Sequence, residues 1–340
     1  MYESFYGFSE LPFELTANPK YLFLGSRQRE ALSILQYGLF SAKSITALIG
    51  EAGTGKTTLI RAALESERCQ HVRCIYLNNP ALDRDEFVKL LAMKFGLGSE
   101  AGASKAVLLE RLECLLRERR ASGEITALVI DEAQSLSVEL LEEIRLLANI
   151  ETPSAKLLPL VLAGQPELSE RLEDRDLRQL RQRITLRCQL EPFDVKETAA
   201  YIATRISAAG GVPSQVFTQE AVIMIHEYSR GIPRIISVIC DNALVSGMAL
   251  ECCPVNRTVV AEVCRDFRLS TMKEHSAPTA ALRVVAGAAT EPPQNVSHDN
   301  EGETVEFGDQ STDAPRDNRA RFGLGSPFRA ARRMITHEPN

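Results

Sequence analysis

Short, nearly continuous apolar runs recur through the first half of the chain. They are SITALIG (44–50), RCIYLN (73–78), TALVID (126–131), LPLVLAG (158–164) and ITLRCQL (184–190). Rich in β-branched residues and leucine, they predict strands covered on both faces. Between them the pattern changes period. TTLIRAALESE follows the first run, and SVELLEEIRLLANI carries Leu140, Leu141, Ile144, Leu147 and Ala148 as one helical stripe. Strands alternating with helices predict a parallel sheet with crossover helices, an α/β fold.

After Glu191 the strand signal stops. DVKETAAYIATRISAAGG ends on a glycine pair, TQEAVIMIHEYSRG closes on Gly231, PRIISVICDNALVSGMAL opens on a proline, and NRTVVAEVCRDFRL follows. These four stretches predict an all-helical domain. Residues 271–340 have no sustained apolar period and are expected to be a disordered tail. The tail carries an acidic patch near 299–309. It ends in Arg316, Arg319, Arg321, Arg329, Arg332 and Arg333, read as a solvated end or as a docking peptide anchored by Phe322 and Phe328. Residues 1–25 are aromatic-rich and predict a strap across the main domain. The expected organisation is a leader (1–25), an α/β core (26–190), a helical lid (191–270) and the tail.

Composition narrows this picture. The chain has 340 residues, 44% apolar and 25% charged, as in soluble globular proteins. A net charge of −6 gives no global field to recruit nucleic acid, although a local basic patch stays open. The eight cysteines show no metal-ligand spacing and predict buried, reduced thiols. The N-terminus lacks the layout of a signal peptide. No window approaches the roughly 18 apolar residues of a membrane span. A cytoplasmic location is expected, with docking on a membrane partner left open.

The chemistry begins at GEAGTGKTT (50–58). It matches G-x-x-x-x-G-K-[ST] at Gly50, Gly55, Lys56 and Thr57, between a predicted strand and a predicted helix. Glycines let consecutive N–H groups turn inward, and with the helix N-terminus they cradle phosphate. Gly50, Glu51, Ala52, Gly53, Thr54, Gly55, Lys56, Thr57 and Thr58 are therefore the candidate nucleotide-binding residues. Lys56 is expected at the β- and γ-phosphates and the Thr57 hydroxyl on Mg²⁺. In ALVIDEAQSL a buried strand ends in two acids. Asp131 fits as the second holder of Mg²⁺, and Glu132 as the base that polarises the attacking water. No guanine-selecting NKxD occurs, so ATP is favoured over GTP. Gln165, in AGQPEL, lies where a strand tip can feel a γ-phosphate, and reads equally as a turn before Pro166. Arg178, Arg181 and Arg183 precede the fifth strand. They are solvated, or one reaches a neighbouring subunit's γ-phosphate. Arg234, in SRGIPRI, opens a lid helix and is placed to close over nucleotide.

Taken together, GEAGTGKTT, LVIDEAQSL, LAGQPEL, LRQRI and GIPR resemble the AAA+ ATPases of the ExeA or general secretion pathway protein A type, as does the leader FYGFSELPFELTANPKYLFL. The resemblance covers about residues 1–270. It implies an ASCE-type P-loop sheet with a helical lid, Gln165 as sensor 1, Arg234 as sensor 2 and Arg183 or Arg178 as the arginine finger. It further implies homo-oligomers with ATP between subunits and a leader beside the adenine pocket. Secretion members continue into a membrane span and a peptidoglycan-binding domain. Residues 271–340 supply neither, so the architecture looks more like the ATPases of exopolysaccharide and exosortase (PEP-CTERM) loci. It is similar, more distantly, to transposition ATPases that load on DNA. The leading expectation is a Mg²⁺-dependent ATPase serving envelope export. The alternatives are a DNA-associated regulator and a nucleotide-gated assembly module with little turnover.

Overall fold

A computed structural model describes residues 1–15, 21–78, 82–153 and 155–269. The tail and its arginines lie outside the described residues. In chain order the helices are α1 (Glu3–Tyr6), α2 (Ser26–Phe40), α3 (Lys56–Leu64), α4 (Arg84–Phe95), α5 (Ser99–Ala103), α6 (Lys105–Ala121), α7 (Val138–Leu147), α8 (Pro166–Arg171) and α9 (Arg178–Arg183). They continue with α10 (Val195–Ala208), α11 (Pro213–Val216), α12 (Gln219–Ser229), α13 (Pro233–Ala249) and α14 (Arg257–Asp266). The strands are β1 (Ile45–Gly50), β2 (Val72–Leu77), β3 (Ile125–Ile130), β4 (Leu160–Gly164) and β5 (Ile184–Leu190). Each coincides with a predicted apolar run to within two residues.

The five strands form one parallel sheet in the order β2-β3-β4-β1-β5. Side chains alternate across it, as the strand period requires. Leu128 and Ile130 of β3 and Leu160 and Leu162 of β4 join a core closed by α4, α6 and α7. Ala127, Val129, Val161 and Ala163 face the other way, onto α2 and α3. Both faces are covered, so the strands read as continuous apolar runs. The order places β4 between β1 and β3. The carboxyl ends of these three strands carry GEAGTGKTT, Gln165 and the Asp131–Glu132 pair, so the topology alone gathers the candidate chemistry at one edge.

Helices α10 to α14 form a third core around Ile202, Ile206, Ile225, Ile236, Ile239 and Val260. The leader belongs to this bundle. Tyr2, Phe8 and Phe13 are buried in it, the Tyr2 hydroxyl donates to Asp241 at 2.5 Å, and the Tyr6 hydroxyl donates to the Leu244 carbonyl. Much of the expected strap therefore lies on the C-terminal helices, while Leu22 and Leu24 pack on the sheet face covered by α2 and α3. Its aromatic rings fill a surface that these five helices alone leave uncovered. Among the described residues no helix is long and apolar enough to cross a membrane.

Candidate active site

The loop after β1 turns on two glycines that L side chains rarely replace, Gly53 (φ +83°) and Gly55 (φ +93°). Gly55 is the N-cap of α3, so the free N–H groups of that helix face the turn. Lys56 is only 5% exposed. Its ammonium donates to the carbonyls of Gly50 (2.8 Å) and Glu51 (3.1 Å). Burial draws its pKa below the ordinary lysine value, while the carboxylates of Glu132 and Asp131 oppose that shift. The Thr54 hydroxyl donates to the Glu51 carbonyl and braces the turn.

Asp131 follows β3 and is 5% exposed. Its Oδ2 accepts from the Thr57 hydroxyl at 2.7 Å and from the Tyr76 hydroxyl at 2.8 Å. Burial, then the bond to Asp131, pushes the Tyr76 phenol upward, so it stays a donor. Two oxygens, Thr57 Oγ1 and Asp131 Oδ2, thus meet beside the glycine turn. Such a pair suits a hard cation that takes its remaining ligands from phosphate and water. Among the described residues there is no cluster of three or more His, Cys, Asp or Glu side chains to hold a metal by protein ligands alone.

Glu132 adopts left-handed backbone angles (φ 55°, ψ 38°), a strained choice for a residue with a Cβ. Its Oε2 accepts from the Gln134 amide at 2.5 Å and the Gln165 amide at 3.2 Å. Gln134 also accepts from the Gln165 backbone N–H at 3.1 Å, and its own carbonyl accepts from Arg171 at 2.6 Å. One carboxylate is thereby tied to the tip of β4 and to α8.

A cavity of about 370 Å³ opens over these groups, lined by Gly53, Gly55, Lys56, Thr57, Thr58, Glu132 and, from the helical bundle, Arg205 and Arg234. That volume suits a small ligand. The backbone N–H of Arg234 donates to the Gly53 carbonyl at 3.2 Å, so α13 is seated directly on the turn. A second, more apolar pocket adjoins it, walled by Tyr21, Leu22, Phe23, Leu59, Leu190 and Phe193.

Residues 40–172 match the AAA domain family. Over 249 residues, 73% of the chain, the sequence is 40% identical to general secretion pathway protein A of Aeromonas hydrophila. The chain belongs to the AAA+ family, in its ExeA group. It spans 45% of that relative's length. Among solved structures, this AAA+ chain is similar to the Aeropyrum pernix ORC2 protein in its ADPNP–ADP complexes (TM-score 0.58, 18% identity, 79% of this chain and 74% of that chain). It is also similar to Cdc6p of Pyrobaculum aerophilum (TM-score 0.54, 19% identity, 71% and 66%). At these identities the likeness establishes the fold, a P-loop sheet with a helical C-terminal domain.

The structure brings Gly53, Gly55, Lys56, Thr57, Thr58, Glu132 and Arg234 together in the lining of one cavity; Lys56 bonds the carbonyls of Gly50 and Glu51, Thr57 bonds Asp131, and Gln165 bonds Glu132. Exposed Arg178 and half-buried Arg183 lie on α9, away from the lining of that cavity. Arg181 is paired with Glu173. Three residues around the site escape sequence reading. Tyr76 and Arg205 look like ordinary strand and helix positions, and only the fold brings them here. Gln134 carried a signal, a polar amide two residues after a candidate base.

Proposed function

We propose that this AAA+ chain hydrolyses ATP to ADP and phosphate with Mg²⁺, as a cytoplasmic motor or switch for secretion or exopolysaccharide export. The observation that carries the reading is the Thr57–Asp131 pair beside a glutamine-tethered Glu132, all at the mouth of a glycine turn. Thr57 and Asp131 would hold Mg²⁺, which when bound neutralises charge on the β- and γ-phosphates. The turn from Gly50 to Thr58 would hold the phosphates through backbone N–H groups, and the Lys56 ammonium would add its charge there. Glu132 would take a proton from the attacking water while Gln134 and Gln165 hold its carboxylate in place. Gln165 and Arg234 would respond to the third phosphate from the sheet and from the helical bundle. An arginine of α9, Arg183 or Arg178, would complete a neighbour's site in a homo-oligomer. The 40% identity to a general secretion pathway protein supports export as the setting. Peripheral docking on an inner-membrane partner fits a chain whose described helices do not span a bilayer.

The deciding variant is Glu132→Gln. ATP binding by calorimetry should match the parent chain, while phosphate release falls by about a hundredfold or more. Undiminished release would remove Glu132 from the base role.

A further inference from the structure

Arg205 of α10 is 6% exposed. One Nη donates to the Tyr201 hydroxyl at 2.5 Å and to Ser237 at 3.2 Å. The other donates to the carbonyl of Glu14 in the leader at 3.1 Å. Its Nε is enclosed and has no hydrogen-bond partner. The guanidinium stacks over Tyr21 at 4.9 Å and Tyr201 at 5.4 Å. Every one of these contacts is to a neutral group. Glu10 and Glu14 place negative charge near Tyr21, yet among the described residues no carboxylate forms an ion pair with Arg205. An arginine kept this deep without a counter-charge is expensive for a fold unless something anionic reaches it.

The surroundings say what that anion is. Arg205 lines both the phosphate cavity and the adjoining apolar pocket. Arg234 lines only the first. The apolar pocket, with its phenylalanines, leucines and tyrosine, suits a flat base, and the glycine turn suits phosphates. Arg205 stands at the seam between them, where the ribose and the phosphate next to it would lie.

We propose that Arg205 is a nucleotide-binding residue that contacts the ribose-proximal phosphate, ties the leader to the bound nucleotide through Glu14 and Tyr21, and so serves ATP and ADP alike. The proposal rests on the ATP reading above and assigns a second lid arginine a task distinct from that of Arg234.

The test is calorimetric titration of ATP and ADP into the full chain and its R205M, R205K and R234A variants, each checked for folding by circular dichroism. R205M should weaken ATP and ADP by similar factors, about ten- to a hundredfold, as for loss of a hydrogen bond to a charged group. R205K, which keeps the charge, should restore most of that loss. R234A should weaken ATP more than ADP. A folded R205M with parental affinity for both nucleotides overturns the proposal. Should R205M not fold, R205K decides: ADP binding within about threefold of the parent supports the charge role, and a tenfold loss overturns it. A parent chain that binds neither nucleotide would instead sink the ATP reading itself.

Discussion

Glu132 shows how a single residue can carry several constraints. Its left-handed backbone costs about 1 kcal/mol or more, and two glutamine amides hold its side chain. Gln134 is central because it gives its amide to Glu132 and takes the N–H of Gln165. Replacing Gln134 by leucine should lower kcat about tenfold with the Kd for ATP unchanged, read from steady-state phosphate release beside a binding titration. An unchanged kcat would show that Gln165 alone holds the carboxylate. The glycine turn, Asp131 and Glu132 are legible in the sequence because each sits in a contiguous motif whose chemistry is local. Tyr76 and Arg205 are not. Their importance arises from a strand neighbour and a helix packed from elsewhere, and no spacing in the chain encodes that.

Among the elements, the joint between sheet and bundle is the most exacting. Gly231 has φ +74°, and a Cβ there would come 1.9 Å from the Phe193 carbonyl oxygen. The Phe193 N–H in turn donates to the Gly231 carbonyl at 2.8 Å. No side chain could yield, because the obstacle is backbone. Gly231→Ala should therefore destabilise the protein by about 2 kcal/mol or more, lowering its thermal midpoint by several degrees. A midpoint within one degree of the parent would show that this joint is slack. The strands were readable because burial on both faces leaves an unbroken apolar run. The four longer C-terminal helices were readable from their caps, such as Thr218, which accepts from the Ala221 N–H. The docking of the leader was not, since aromatic residues announce burial without naming the surface that buries them.

On the scale of the whole molecule, α9 presents Arg178 and Arg183 away from the chain's own cavity. If either completes a neighbour's site, two defective chains should rescue one another. Arg183→Ala or Arg178→Ala keeps its own Glu132, and Glu132→Gln keeps its own arginines. Mixing the finger variant with Glu132→Gln should restore phosphate release well above either alone, with a dependence on total protein concentration. Absence of rescue for both arginines would exclude action across an interface.

The bond from the Arg234 amide to the Gly53 carbonyl has a wider implication. The helical bundle grips the same few peptide units that would cradle a triphosphate. Tilting the bundle must therefore deform the cradle, and filling the cradle must push on the bundle. Variants that bind normally yet fail to move will have to be sought farther out, along the seam where Phe193 meets Gly231.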